Sequence, residues 1–340
     1  MGKAGIFVCK SGFSYELLCV LLVLEYNELT TKCQVYFTKC RLQKGGLVFL
    51  RDSVHNKESE LTIENVNQEH TEKRDEEFMM KNIKLTAFDM DGTLLNDRKE
   101  LPPDFPAWVK NHPQIRKVIA SGRQYYTLRD NMGELKDEFL YVAENGGVVY
   151  EKDEALYCDA IPAEDVRYCV DRLNRMEGVN PMLCGVHGAY IRQDTKKDVF
   201  KEASMYYHRL TKCEDVMAEA LKDRIVKIAI FVENYQVDKA AAAFADLPER
   251  LAVVVSGDSW IDIANASANK GAGIAAIQRK YQIKPEECMA FGDYLNDVEL
   301  LKSCGESYCM ENGHPRLKEI ARYIAPSNNE CGVMQIISQL

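Results

Sequence analysis

Little in this chain would place it in a membrane, on nucleic acid or in an oxidising compartment. Its apolar run at 17–24 is eight residues long, far short of the ~20 that a spanning helix needs. Lys3 and Lys10 precede that run, but Glu25-Tyr26-Asn27-Glu28 follows it where a leader would carry small residues. A formal charge of -9 with no clustered basic face excludes a nucleic-acid footprint. The twelve cysteines contain no C-x-x-C pair and sit inside apolar runs such as Tyr168-Cys169-Val170 and Glu287-Cys288-Met289. Zinc and redox work are therefore disfavoured, and reduced core thiols in a cytoplasmic protein are expected. The six histidines show no ligand spacing. His187, beside glycines in Gly185-Val186-His187-Gly188, is the one to watch, and a structural or solvent-facing role is the simpler reading for it. Internal repeats and low-complexity tracts are missing too.

What remains is an ordinary globular composition, 46% hydrophobic and 28% charged over 340 residues, enough for two domains with a sizeable core. Residues 1–78 do not match the rest. The stretch 55–77 is charged and polar with little periodicity and is expected to be disordered. Met79-Met80 stands just before the first convincing strand, so the domain is expected to begin there. The upstream part then reads as a dispensable extension or a mis-called start, with a membrane anchor as the alternative.

From residue 82, strands and helices alternate. Strands are expected at 83–88, 116–120 and 139–143, with helices at 102–111, opened by proline, and 124–132. Gly146-Gly147 turns the chain into 148–151, one arm of a hairpin. This alternation predicts an α/β fold with a parallel sheet and right-handed crossovers. Beyond Cys158 the character changes. A helix at 163–176, a hairpin of 182–187 with 189–193, strands at 225–232, 251–256 and 260–264, and a helix at 237–245 suit an inserted α+β module. Alternation resumes with a helix at 271–281, a strand at 288–291, a helix from 295, a strand at 307–310 and helices at 314–321 and 333–340. The expected division is a core of 79–158 and 258–340 with a module of 159–257 inserted into it.

The core is organised around Leu85-Thr86-Ala87-Phe88-Asp89-Met90-Asp91-Gly92-Thr93-Leu94-Leu95. An apolar run of this kind reads as a strand buried on both faces, and alternation should send Asp89 and Asp91 to the same side of its end. Gly92 permits a tight turn, and Thr93 can cap the segment after it. Two carboxylates held together repel, so a cation is required beside them. With oxygen ligands only, Mg²⁺ is the natural ion. Alone, the motif could be an acidic turn after a core strand. However, Val118-Ile119-Ala120 also runs into Ser121-Gly122-Arg123, and Cys288-Met289-Ala290-Phe291 into Gly292-Asp293. Polar chemistry thus converges at the carboxyl ends of three strands, where open α/β sheets bind ligands. One competing pattern, Gly271-Ala272-Gly273-Ile274-Ala275-Ala276, fits a dinucleotide fingerprint. It does not follow a strand directly, and its small residues more simply allow close helix packing.

These residues carry a resemblance. From about 82 to 340 the chain resembles the haloacid dehalogenase-like hydrolases, specifically the Cof-type phosphatases with a large α/β cap. Asp89-Met90-Asp91-Gly92-Thr93-Leu94, Ala120-Ser121-Gly122-Arg123, Lys270 in Asn269-Lys270-Gly271, and Gly292-Asp293-Tyr294-Leu295-Asn296-Asp297 match the four motifs in order. Glu144-Asn145-Gly146-Gly147 and Asn328-Asn329-Glu330-Cys331-Gly332-Val333 also match usual segments. Cys309-Met310-Glu311-Asn312-Gly313 stands where Ala-Met-Gly-Asn-Ala is commoner, and Ala325 where threonine is usual.

The resemblance implies a Rossmann-like parallel-sheet core with an inserted cap. It also implies Mg²⁺-dependent hydrolysis of a small phosphorylated metabolite, with sugar phosphates ahead of flavin mononucleotide or pyridoxal phosphate. Asp89 would attack phosphorus to form an aspartyl-phosphate, and Asp91 would serve as acid and then base. The Asp89 carboxylate, the Asp91 backbone carbonyl and Asp293 would hold the metal. Ser121 and the backbone beside it at Gly122 would bind a phosphoryl oxygen, and Lys270 would neutralise developing charge. Asn296 and Asp297 would place Lys270, the metal's waters or the phosphate. A phosphomutase of similar cap type and a non-catalytic phosphometabolite-binding protein are the alternatives. Dehalogenation is disfavoured, because that chemistry lacks an acid at the Asp91 position. Substrate choice would lie in the inserted block, and oligomeric state stays open.

Overall fold

The computed structural model describes residues 82–340, the side chain of Tyr235 excepted, and, ahead of them, only the backbone of four strands. The chain divides into two units, Met1–Met79 and Met80–Leu340. In the first, β1 (Ala4–Cys9), β2 (Glu16–Asn27), β3 (Thr30–Gln43) and β4 (Gly46–Phe49) form an antiparallel sheet in chain order. The apolar run at 17–24 lies within β2. The stretch 55–77, expected to be disordered, lies outside the described residues. Among the described residues no helix is long and apolar enough to cross a membrane.

The second unit opens with β5 (Leu85–Phe88), α1 (Phe105–Asn111), β6 (Arg116–Ala120), α2 (Tyr125–Met132), β7 (Phe139–Ala143), β8 (Val148–Glu151) and β9 (Glu154–Cys158). The middle block holds α3 (Ala163–Leu173), β10 (Val179–Gly185), β11 (Ala189–Arg192), α4 (Lys197–Tyr206), β12 (Leu210–Cys213) and α5 (Val216–Ala220). It ends with β13 (Ile225–Val232), α6 (Val237–Ala242), β14 (Leu251–Gly257) and β15 (Trp260–Asn265). The closing block is α7 (Lys270–Tyr281), β16 (Cys288–Gly292), α8 (Val298–Lys302), β17 (Glu306–Met310), α9 (Pro315–Lys318), β18 (Tyr323–Ala325) and α10 (Gly332–Ile337).

The first and last blocks share one eight-stranded sheet, ordered β18-β17-β16-β5-β6-β7-β8-β9. Its strands run parallel from β18 to β7, and the hairpin β8–β9 extends it antiparallel. The central strands are buried on both faces because helices cover both, as a parallel sheet requires. Leu85, Ala87, Val118, Ala120 and Val142 pack with Ile274 and Ile277 of α7. Phe88, Ile119 and Tyr141 face the other way, onto Phe105 and Trp108 of α1 and Leu128 of α2. The sheet is thus the middle of three layers, and every central strand delivers its carboxyl end to the same rim.

The middle block forms a second sheet, β12-β11-β10-β13-β15-β14, antiparallel except for β11–β12. One face carries Ile228, Ile230, Ile261 and Ile263 beneath Val166 and Val170 of α3 and Ala240 of α6. The result is an α/β protein with a parallel-sheet core and an inserted cap. The cap sheet does not stop at 257: β15 pairs with both β13 and β14, because its alternating isoleucines complete the cap's apolar layer, so the expected limit cuts through a hairpin. Sequence reading passed over β9, α4, β12, α5 and β18. They are short, and Leu210–Cys213 and Lys197–Tyr206 mix charge with apolar residues, without the long periodicity that marks a core element.

Candidate active site

Three neighbouring strands converge as expected. In the parallel ladder Phe291 of β16 lies beside Phe88 of β5, and Phe88 beside Ile119 of β6, so Asp293, Asp89 and Ser121 follow adjacent strand ends. One expectation fails here. The ladder ends at Phe88, so the two-residue alternation does not extend through Asp91. Instead 89–95 folds into a compact turn, with Leu94 N–H donating to the Asp89 carbonyl at 3.2 Å and Leu95 N–H to Met90 at 2.9 Å. Gly92 adopts φ +82°, a region that suits glycine. A Cβ there would lie 2.4 Å from Asp293 Oδ2, so the turn and the Asp293 carboxylate need this glycine for space as well as for conformation.

The crowded carboxylates are therefore not Asp89 with Asp91. Oxygens of Asp89, Asp293 and Asp297 lie within 4.8 Å of one another. Lys270, fully buried, bridges two of them, with Nζ donating to Asp89 Oδ1 at 2.5 Å and to Asp297 Oδ1 at 2.6 Å. It is the first residue of α7, after the cap residue Asn269, whose side chain accepts from Ala272 N–H at 2.9 Å. A cation at a helix N-terminus is disfavoured by the helix dipole, and the paired carboxylates offset that cost. Burial depresses the Lys270 ammonium, but the two carboxylates outweigh it and hold it protonated above the ordinary lysine range. Burial pushes the Asp89 carboxyl up; Lys270 opposes the rise, Asp297 and Asp293 add to it, and the value reaches about 8. Asp293 is raised as well, by burial first and then by Asp297. Asp297 turns its other oxygen to the backbone N–H groups of Asp293 at 3.0 Å and Tyr294 at 3.1 Å. It positions both Lys270 and the loop that carries Asp293. Thr93 Oγ1 donates to Asp293 Oδ1 at 3.0 Å from the other side.

Asp91 has separate partners. Arg123 grips it through Nε at 2.9 Å and a second nitrogen at 2.8 Å, and Lys99 Nζ reaches it at 2.7 Å. Burial pushes its carboxyl up, but Lys99 and Arg123 prevail and hold it below the ordinary aspartate value. Ser121 is buried, and its hydroxyl accepts from Arg123 N–H at 3.3 Å. Gly122 lies so close to Asn145 that a Cβ would stand 2.9 Å from its amide nitrogen. Asn145 in turn accepts from exposed Asn296 at 3.1 Å. The eight expected site residues thus fall into an Asp89–Lys270–Asp297–Asp293 cluster, an Asp91–Arg123 pair next to Ser121 and Gly122, and Asn296 at the edge.

The donor set suits a hard divalent cation. All its donors are oxygens, burial first and then the Asp297 charge raise both Asp89 and Asp293, and one lysine cannot balance three acids.

Comparison with known proteins places this geometry. The family model described as haloacid dehalogenase-like hydrolase matches residues 86–337. The chain belongs to the haloacid dehalogenase-like hydrolases. Among relatives, 5-amino-6-(5-phospho-D-ribitylamino)uracil phosphatase YbjI of Escherichia coli (strain K12) is 31% identical over 262 residues, spanning 76% of this chain and 96% of its own. The YcsE protein of Bacillus subtilis (strain 168), a phosphatase of the same name, is 25% identical over 75% of this chain and 94% of its own. Among solved structures, SMU.1108c of Streptococcus mutans UA159 superposes with a TM-score of 0.65 at 28% identity, covering 75% of this chain and 98% of that one. The subclass IIB sugar phosphatase BT4131, at 22% identity and TM-score 0.63 over 76% and 100%, shares the fold. The hydrolase is of the phosphatase type, with the family's core and cap.

Other features resolve in the same frame. His187 is exposed, in a turn whose backbone N–H donates to Asp223 at 2.8 Å. Gly271 and Gly273 serve packing, since a Cβ would lie 2.3 Å from the Glu299 carbonyl or 2.5 Å from Val142. Sequence reasoning missed several contributors. Lys99 has φ +63° and nothing in its neighbours announces its role. Asn312, which donates to the Gly92 carbonyl at 2.7 Å, sits in a segment noted only for its departure from the commoner family residues. Lys227 did leave a signal, as the lone charge in the apolar strand Ile225–Val232. It comes from the cap, lies buried 2.5 Å from Glu144 of the core, and donates to the Gly122 carbonyl at 3.3 Å.

Proposed function

We propose that this hydrolase is a Mg²⁺-dependent phosphatase that cleaves a small phosphorylated metabolite of the sugar or polyol phosphate class through an aspartyl-phosphate on Asp89. The observation that carries the reading is Lys270, held between Asp89 and Asp297 with Asp293 alongside. The names of two relatives specify a ribityl phosphate bearing a pyrimidine, and the polyol part of that class fits the reading.

Asp89, Asp293 and the backbone at Asp91 would hold the ion, with Asp297 steadying the loop. Bound there, Mg²⁺ would lower the repulsion between the carboxylate and the phosphoryl oxygens. Lys270 keeps Asp89 oriented by a 2.5 Å hydrogen bond and offers positive charge to the developing oxyanion. Ser121 and the N–H group at Gly122 would donate to the phosphoryl oxygens. Asp89 Oδ attacks phosphorus as the ester oxygen leaves. Asp91, which parts from Arg123 and Lys99 and takes up a proton from solvent as substrate binds, gives that proton to the leaving oxygen and then takes one from the water that releases phosphate. Arg123 and Lys99 hold Asp91 in the resting geometry. The cap excludes bulk water from this step.

The test is phosphate release from a panel of sugar and polyol phosphates by the wild-type protein and by Asp89→Asn, with Mg²⁺ or with EDTA. Turnover should need both the ion and Asp89. Full activity of Asp89→Asn would remove the nucleophile assignment, and an isomerised sugar phosphate in place of free phosphate would indicate a mutase.

A further inference from the structure

The three carbonyls of the loop Ser121-Gly122-Arg123 are each held from outside the loop. Asn145 N–H donates to the Ser121 carbonyl at 3.0 Å, and Glu144 N–H to the Arg123 carbonyl at 3.1 Å. Between them, Lys227 Nζ of the cap strand β13 donates to the Gly122 carbonyl at 3.3 Å. A trans peptide is planar, so a carbonyl and the N–H that follows it point in opposite directions. Fixing a carbonyl therefore aims the next N–H. The Asn145 bond aims the Gly122 N–H, which no acceptor takes among the described residues. The Lys227 bond aims the Arg123 N–H, which meets Ser121 Oγ at 3.3 Å. With that oxygen accepting from Arg123, the Ser121 hydroxyl hydrogen is left to donate elsewhere. The two donors assigned to the phosphoryl group are thus set by two outside anchors, one in the core and one in the cap.

Both anchors are costly. Glu144 and Asn145 adopt φ +51° and +53°, a conformation that is unfavourable for a glutamate and persists only where the surroundings dictate it. Lys227 and Glu144 are buried, at 5% and 2% side-chain exposure, with Nζ 2.5 Å from Glu144 and 3.6 Å from Asp262. Burial opposes the charge on Lys227, but Asp262 and Glu144 outweigh it and hold the ammonium protonated. Gly147 lets β13 come this close, since a Cβ there would lie 3.1 Å from Val226 Cβ. Apolar residues of similar volume commonly stabilise a junction as well as a buried ion pair does. Packing alone therefore does not call for a charged pair here, whereas holding a loop carbonyl calls for a donor.

We infer that Lys227 is a positioning residue for phosphate binding. From the cap it orients the Gly122–Arg123 peptide so that the Ser121 hydroxyl faces the phosphoryl oxygens, with Glu144 as its counter-ion. Docking of the cap thereby completes the phosphate site. The inference rests on the phosphatase reading and adds a cap residue to its binding machinery.

Isothermal titration of inorganic phosphate in Mg²⁺ reads the site without turnover. Lys227→Met should bind phosphate about 10- to 100-fold more weakly than the wild type, the usual worth of a hydrogen bond to a charged group. That variant also leaves Glu144 unpaired, so a second one separates the two effects. Lys227→Met combined with Glu144→Met replaces the pair by apolar side chains and should recover melting temperature lost in the single variant. Its phosphate affinity should stay low, because nothing holds the Gly122 carbonyl. Lys227→Arg, which keeps a charge for Glu144 and a donor for Gly122, should bind phosphate more tightly than either. Phosphate affinity in the double variant within about threefold of wild type makes the pair merely structural and overturns the inference. So does an arginine variant that binds no better than the double one, or a wild-type protein that binds no phosphate. If phosphate binds but no ester is hydrolysed, the phosphatase reading fails, and the titration series decides the inference by itself.

Discussion

Replacing Lys270 by methionine keeps most of the stem volume and removes the ammonium that two buried carboxylates share at 2.5 and 2.6 Å. Removing one partner of a buried ion pair costs about 3–5 kcal/mol, chiefly because the remaining charges are left unpaired. For a unit of this size each kcal/mol moves the midpoint of thermal unfolding by about 2–4 °C. The metal-free variant should therefore melt about 6–20 °C lower in calorimetry with EDTA. The chemical effect runs through Asp89. Burial pushes its carboxyl up to about 8 even with Lys270 opposing the rise, so without Lys270 it rises further and its ionised, nucleophilic form becomes harder to reach. A less accessible nucleophile, together with loss of a donor to the developing oxyanion, should reduce kcat by about 10²–10³ or more. Phosphate release at saturating Mg²⁺ measures this. A Lys270→Met protein with kcat within tenfold of wild type and an unchanged melting point would refute the reasoning, because the ammonium would then be neither holding the acids together nor serving the reaction.

The same geometry carries three further outcomes. Gly92→Ala places a Cβ 2.4 Å from Asp293 Oδ2 on a backbone with φ +82°. The Mg²⁺ concentration for half-maximal phosphate release should rise at least about tenfold, and an unchanged Mg²⁺ dependence would mean that Asp293 is not a ligand. In EDTA, Asp89 binds its proton more tightly folded (about 8) than its ordinary value of 3.8. Its contribution is thus fully present below about 3.8 and is lost as pH climbs toward 8. The melting point should fall between about pH 5 and 8, and Asp89→Asn should flatten that slope. Lys227→Met strands Glu144 in the cap–core junction, where both side chains are nearly inaccessible; denaturant unfolding should show a loss of about 3–5 kcal/mol, and a loss below about 1 kcal/mol would place water beside Glu144.

The rim of the core sheet was legible because strand, turn and polar residue are contiguous in the sequence. Asp89 after 85–88, Ser121 after 116–120 and Asp293 after 288–292 each carry their own context. What joined them was not. The pairing of Asp89 with Asp297 rather than Asp91 depends on where the β5 ladder ends and on Lys270 arriving from 181 positions away. Lys99 reaches Asp91 only because its loop takes a left-handed turn at φ +63°. The cap was visible as a change of pattern, but its edge was not, since Trp260–Asn265 alternates like a strand of either sheet until its partners are known.

The central claim is that Asp89 and Asp293, with Asp297 behind them, enclose a single divalent ion. Anomalous diffraction from crystals grown with Mn²⁺ tests it directly. The account predicts one peak per chain between the Asp89 and Asp293 carboxylates, within about 2.0–2.3 Å of an oxygen from each, and its disappearance in Asp293→Asn. No peak there, in protein that still releases phosphate under the same Mn²⁺, would contradict it.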